Sequence, residues 1–409
     1  MTALIEHSRW RHVANPRVTP GAPIGERQRA ILHQAALEQA RDEIRRWPGY
    51  AATPLVGLDG LAAAAGVAAI HYKDESERFS LKSFKALGGA YAVLRLIKRR
   101  LGEQVTSEAL MAGEYRDALD GLTVCCATDG NHGRSVAWGA RQFGVRCVIY
   151  LHATVSPGRE QAIADFGAEI RRVAGNYDDS VRQAASDAAE YGWFVVSDTS
   201  YPGYMEVPRD VMQGYSVMVD EAVDQLDQPP THCFVQGGVG GLAAATLAQL
   251  WEAYGVNRPR VIVVEPERAA CLLESARSGE PVAVDGDLDT LMAGLACGEV
   301  SLLAWEVLDE GIDDYLAVSD EAAVEAMKLL AEGVGGDPAL VAGESAVAGL
   351  VGLLLASQEP DLGARLGLDG NSRVLLIGSE GATDAEVYRE LVGASAEDVI
   401  ARGRANHVE

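Results

Sequence analysis

Between residues 122 and 197 short apolar runs alternate with longer stretches whose apolar positions recur at helical spacing. Leu122–Ala127, Arg146–Leu151, Glu169–Val173 and Trp193–Ser197 read as strands, and the segments ending at Phe143, Phe166 and Tyr191 read as helices. Repetition of this βα kind predicts a parallel sheet with helices on both faces. Further apolar runs at Val67–Lys73, Cys233–Val235, Val261–Glu265 and Arg373–Gly378 predict a second sheet drawn from both sides of that block. Glu26–Trp47 reads as a charged amphipathic helix ended by Pro48-Gly49, Ser83–Arg100 as a helix, residues 1–25 as an irregular arm, and 102–120 as a polar insert without evident chemistry. A chain of 409 residues also exceeds the usual single core. The expected fold is therefore α/β, two lobes each with a mainly parallel sheet flanked by helices and a ligand cleft between them. Residues 1–87 and 206–409 form the expected large domain and 88–205 the small one.

Three loops carry candidate chemistry, and all fall at the carboxyl ends of expected strands, where open sheets of this kind bind ligands. Ser83-Phe84-Lys85-Ala86-Leu87-Gly88-Gly89 places a lysine beside an aromatic ring at the start of a helix. Burial and the helix N-terminus both favour a neutral amine, the form that attacks an aldehyde, so Lys85 reads as a Schiff-base lysine whose usual partner is pyridoxal phosphate. A lysine in the first turn of a helix is more often a solvated surface residue. Thr128-Asp129-Gly130-Asn131-His132-Gly133 follows a strand and opens a helix, a turn suited to an anion such as an amino-acid carboxylate. Gln236-Gly237-Gly238-Val239-Gly240-Gly241-Leu242-Ala243 follows Cys233–Val235, and its glycines let the backbone wrap a phosphate. The same loop satisfies the G-x-G-x-x-A dinucleotide pattern. Against that reading, the loop lies past the middle of the chain, and Glu265, the one acidic candidate at the end of the next strand, is followed by Pro266.

These segments, in this order, resemble the fold-type II pyridoxal-phosphate enzymes, the superfamily of threonine dehydratase and cysteine synthase. Tyr72-Lys73-Asp74-Glu75-Ser76, Arg78-Phe79, Thr128–Arg134, Ser197-Asp198-Thr199, Met212–Tyr215 and Met292–Gly298 narrow the likeness to the diaminopropionate ammonia-lyase family, over about Thr53 to Asp384. The resemblance implies that Lys85, with Phe84 beside it, holds pyridoxal 5'-phosphate, that Asn131 contacts the ring hydroxyl, and that Gly237, Gly238, Val239, Gly240 and Gly241 bind the phosphate. It implies a Ser379 hydroxyl at the pyridine nitrogen, although Gly378 departs from the commoner STEG pattern. Ser83, Thr128, Asp129, His132 and Asp198 are the implied substrate contacts, with Lys85, Asp129 and Asp198 catalytic. Asp129 is otherwise a plain Asp-Gly turn residue, Asp198 an N-cap before Thr199, and His132 structural.

The reaction so implied is elimination of ammonia from 2,3-diaminopropionate, of the L and D forms, giving pyruvate and two ammonia. One enantiomer would present its α-hydrogen to Lys85 and the other to Asp129, while Asp129 and Asp198 keep the second amine charged until it leaves. Two alternatives stand: a pyridoxal-phosphate dehydratase of serine, threonine or a 3-hydroxyaspartate, and a non-catalytic amino-acid-binding protein on the same fold. A net charge of −24 argues against nucleic acid or an anionic membrane surface as partner. No run approaches the roughly 20 apolar residues of a membrane span, and no apolar signal-peptide core is evident, so a cytoplasmic enzyme, and by family a homodimer, is expected. The six cysteines are scattered, which disfavours zinc, and no metal is expected; Cys271 and Cys297 lie in adjoining loops that sequence alone leaves unpaired or paired.

Overall fold

The protein is described from a computed structural model covering residues 3–7, 9–128 and 130–405. Eleven strands form two sheets among these residues: β1 Trp10–Ala14, β2 Leu55–Gly57, β3 Ala69–Asp74, β4 Thr123–Ala127, β5 Arg146–His152, β6 Glu169–Val173, β7 Phe194–Val195, β8 His232–Gln236, β9 Arg260–Pro266, β10 Asp314–Val318 and β11 Arg373–Gly378. The larger sheet runs β1-β10-β9-β8-β11-β3-β2 and the smaller β6-β5-β4-β7. All neighbours are parallel except the two edge strands of the larger sheet, β1 on β10 and β2 on β3. The architecture is the expected one, α/β with mostly parallel sheets flanked by helices. The adjacent Cys125 and Cys126 on β4 enter different core clusters, as alternation along a strand requires.

Four details differ from the sequence expectation. Residues 1–25 are not all irregular, because Trp10–Ala14 pairs with β10 some three hundred residues later in the chain. The helix expected at 26–47 is two, Glu26–Ile31 and Gln34–Ile44; His33 adopts extended backbone and its ring accepts from Ala36 N at 3.2 Å, starting a new helix. The 102–120 insert holds short helices at Ser107–Met111 and Arg116–Leu119, anchored by buried Val105, Leu110 and Leu119. Finally, β10 was not anticipated, although all five of its residues are buried.

Two features aim the lysine loop. Helix Lys85–Leu101 crosses helix Glu206–Gln225 where Gly88 faces Tyr215 and Gly214 faces Leu87. A Cβ on Gly214 would stand 2.4 Å from Leu87 O, and one on Gly88 2.3 Å from Tyr215 Cε1, so only glycines permit this approach, which brings Tyr215 beside Lys85. Upstream, Phe79, Ser80 and Lys82 take left-handed backbone at φ 50°, 60° and 58°. Such conformations cost about 1–3 kcal/mol each unless their surroundings hold them. Buried Arg78 binds Glu75 and Glu221 at 2.7 Å each, and Lys73 joins Glu221 at 2.9 Å, a charge cluster that fixes the turn from beneath.

Candidate active site

Lys85 opens its helix with its amine 2.5 Å from Asp198 Oδ2, and the rings of Phe84 and Tyr215 lie 5.6 and 5.7 Å away. Burial alone would lower the amine's pKa, but the Asp198 carboxylate outweighs it and holds Lys85 above the ordinary lysine value. The expectation of a neutral amine is thus corrected for this state, since the carboxylate that reverses it comes from a segment more than a hundred residues away. Asp198, for its part, is opposed by burial and lowered overall by the Lys85 ammonium. His132 Nδ1 stands 3.9 Å from Asp198, and its Nε2 bonds Val196 O at 2.8 Å. Burial lowers the His132 pKa, so the ring is neutral, donates from Nε2 and turns a lone pair at Nδ1 toward the carboxylate.

The Thr128–Gly133 turn is tied by Thr128 Oγ1, which accepts from Gly130 N at 3.0 Å and Gly133 N at 3.1 Å. A Cβ on Gly133 would fall 2.3 Å from Thr128 Cγ2, which explains the glycine there. Asp129 lies outside the described residues. Asn131 begins helix Asn131–Phe143 and donates through Nδ2 to the Glu380 carboxylate. Ser83 pairs by backbone bridge with Glu380, and Phe84 N donates to Ser379 O at 3.0 Å, so the lysine loop and the end of β11 are stitched together. Nearby, Arg159 pairs with Glu344 at 3.0 Å and Ser156 Oγ donates to Asp384 at 2.8 Å.

In the glycine loop, Gly237 N is used by Val264 O at 2.9 Å, while the N–H groups of Gly238, Val239 and Gly240 meet no acceptor among the described residues. Gly240, at φ 102°, turns the chain into helix Gly241–Tyr254. Three successive backbone donors at a helix N-terminus form an anion receptor. Around it stand buried polar atoms without protein partners, Gln236 Oε1 and Tyr215 Oη. The structure therefore brings together Lys85, Phe84, Asp198 and His132 in one cluster and Ser83, Asn131, Ser379 and Glu380 in another. Tyr215, Gln236 and Glu380 fall inside sequence motifs that gave them no work, and Glu344 and Arg159 lie outside any motif. A polar residue closing a buried strand, as Gln236 does, was the signal available for one of them.

A lysine amine and a glycine loop with free backbone donors, both beside Tyr215, make an arrangement suited to a cofactor-dependent enzyme of amine chemistry. The profile of the pyridoxal-phosphate dependent enzymes matches residues 46–380, and the chain belongs to that family. It is 40% identical over 370 residues to the diaminopropionate ammonia-lyase of Escherichia coli K12, across 88% of this chain and 92% of that protein. Crystal structures of the Escherichia coli enzyme, in holo form and in complex with D-serine, each superpose with a TM-score of 0.87 at 37% identity, covering 95% of this chain and 98% of that one. Within the pyridoxal-phosphate enzymes, then, the chain belongs to the diaminopropionate ammonia-lyase family.

The donor set fits the cofactor: an amine for its aldehyde, free backbone N–H groups for its phosphate, and buried unpartnered polar atoms between them.

Proposed function

We propose that this enzyme eliminates ammonia from 2,3-diaminopropionate, yielding pyruvate and two ammonia, with Lys85 as the cofactor-bearing residue. The observation that carries the reading is the Lys85–Asp198 pair at 2.5 Å, with Tyr215 standing beside both that lysine and the glycine-loop anion receptor. Pyridoxal phosphate, when bound, supplies an aldehyde for an amine and a ring that withdraws electrons from the carbon next to it. Gly238, Val239, Gly240 and Gly241, with Gly237 shaping the turn, would hold its phosphate, Asn131 its ring hydroxyl and Ser379 its nitrogen, while Phe84 packs beside the lysine.

The protein's own groups divide the remaining work. The turn at Thr128 and the hydroxyl of Ser83 receive the substrate carboxylate. Lys85 takes the α-proton of one enantiomer, and Asp129, in this proposal, takes it from the other. Whenever the lysine amine is neutral, Asp198 is a half-buried carboxylate with neutral His132 as its neighbour, and an ammonium placed there restores its counter-charge. The β-amine departs only when protonated, so a carboxylate that stabilises the ammonium keeps the leaving group ready. The division into residues 1–87 with 206–409 and 88–205, and action in the cytoplasm as a homodimer, belong to the same proposal. Among the described residues no helix is long and apolar enough to cross a membrane.

The test is an absorbance spectrum of the purified protein with pyridoxal phosphate, followed by pyruvate assays on each enantiomer of 2,3-diaminopropionate and on serine. Lys85→Ala should remove both the Schiff-base band and turnover. Asp129→Asn should depress the D-isomer far more than the L-isomer; equal losses would sink the two-base assignment. Faster pyruvate release from serine would move the substrate to the hydroxy-amino acids.

A further inference from the structure

Gln236 closes β8 directly before the glycine loop and is 1% exposed. Its Nε2 stands 2.8 Å from Ile377 O and 2.6 Å from Ser379 Oγ. A backbone carbonyl only accepts, so the amide atom facing Ile377 has to be nitrogen; the flipped amide would press two acceptors together in a dry interior. The two hydrogens of that nitrogen are thereby divided, one to Ile377 and one to Ser379. Ser379, 3% exposed, accepts from Gln236, and its own proton meets no acceptor among the described residues. The hydroxyl must send that proton into the cleft.

We propose that Gln236 is a positioning residue that fixes Ser379 as a hydrogen-bond donor to the pyridine nitrogen of the bound cofactor, and so holds that nitrogen unprotonated. The inference rests on the cofactor reading above. Counting donors decides the direction. With an unprotonated pyridine, the Gln236 N–H finds Ser379 and the Ser379 O–H finds the ring nitrogen. With a protonated ring, two N–H donors converge on Ser379 while its own proton is stranded in a buried site. An unprotonated ring withdraws charge less strongly, so negative charge developing at the substrate α-carbon is short-lived and a good β-leaving group departs before reprotonation. Gln236 thus biases the site toward elimination and away from racemisation, without touching substrate.

Ring-¹⁵N-labelled pyridoxal phosphate, loaded onto the protein and read by ¹⁵N NMR from mildly acid to neutral pH, reports the protonation state of that nitrogen directly. The unaltered protein should show an unprotonated, hydrogen-bonded pyridine throughout. Gln236→Met keeps the volume and removes both hydrogens, so the resonance should move toward the protonated position at the acid end. If that variant folds poorly, Gln236→Glu serves. Its neutral acid has one hydrogen for two acceptors and releases Ser379 in the same way. In a Ser379→Ala background neither substitution should add a further shift, and with L-serine both should raise the ratio of racemisation to pyruvate formation. A resonance unchanged by either substitution, or a protonated ring in the unaltered protein, overturns the proposal. Failure of the unaltered protein to hold labelled cofactor would instead overturn the reading beneath it.

Discussion

At Lys85 a single carboxylate decides the charge of a nucleophile. Asp198 lies in the cluster with its pKa depressed and Lys85 with its pKa raised, against burial in both cases. A depressed carboxyl contributes stability that is present above its unfolded pKa and lost as pH falls through the folded one. A raised amine contributes stability present below its unfolded pKa and lost as pH rises through the folded value. From roughly pH 4 to pH 10 the pair should therefore stabilise the cofactor-free protein evenly, and the melting-temperature deficit of Asp198→Asn should be flat there and shrink on either side, in acid and in strong alkali. The same substitution removes the attraction while leaving the burial, so the amine becomes easier to neutralise. Each unit of pKa lost gives about tenfold more neutral lysine. Stopped-flow capture of pyridoxal phosphate near neutrality should accelerate by at least that factor, whereas ammonia release from 2,3-diaminopropionate should fall; unchanged capture would mean that Asp198 does not govern the amine. None of this was legible locally. The tripeptide Ser83-Phe84-Lys85 announces an aldehyde-binding lysine, but its charge is set by Asp198, which is near only in the fold.

The elements were legible where their signal is local and dim where it is shared with a distant partner. The alternation from Leu122 to Ser197 yielded strands and helices close to those observed, because each buries its own apolar face. Trp10–Ala14 has a mixed burial pattern and becomes a strand only through β10, and Asp314–Val318 opens on a buried aspartate whose partners, His12 and Arg260, come from elsewhere in the chain. The turn from β3 into helix Lys85–Leu101 is the clearest case of an element held from outside. Its three left-handed residues sit above Arg78, Glu75, Glu221 and Lys73, a cluster with almost no exposure. Removing one partner from a buried pair costs about 3–5 kcal/mol, because the partner's charge stays behind. Arg78→Met should lower thermal stability by that order, leaving two carboxylates against Lys73 alone, and should weaken cofactor retention, measured by dialysis, more than it alters the helical circular dichroism. A variant with native stability and native retention would show that the turn keeps its shape unaided.

Across the whole molecule, three of the side-chain bonds that tie the segment bearing the smaller sheet to the rest gather in one region: Asn131 to Glu380, Arg159 to Glu344 and Ser156 to Asp384. Glu344 and Glu380 are both pushed above the ordinary carboxyl range, first by burial; the neighbouring carboxylate adds to the rise at Glu344, and Arg159 opposes it at both. A carboxyl whose folded pKa is raised holds more protons folded than unfolded, so its contribution weakens as pH climbs from the unfolded value through the folded one. Without the guanidinium the rise is larger. Arg159→Ala should therefore lose little melting temperature in mild acid and progressively more toward alkaline pH, with KM for 2,3-diaminopropionate rising more than kcat falls. A deficit independent of pH would remove the carboxyl pair from the explanation. The order of strands in the larger sheet carries one more consequence. β3, which leads to Lys85, has only the short edge strand β2 on one side and reaches the other strands of that sheet through β11, encoded some three hundred residues downstream. While the chain is being synthesised, the lysine segment is thus made early but stays unseated until Arg373–Gly378 has left the ribosome. The nascent protein is in this way spared a half-built site that would capture a reactive aldehyde before it could be used.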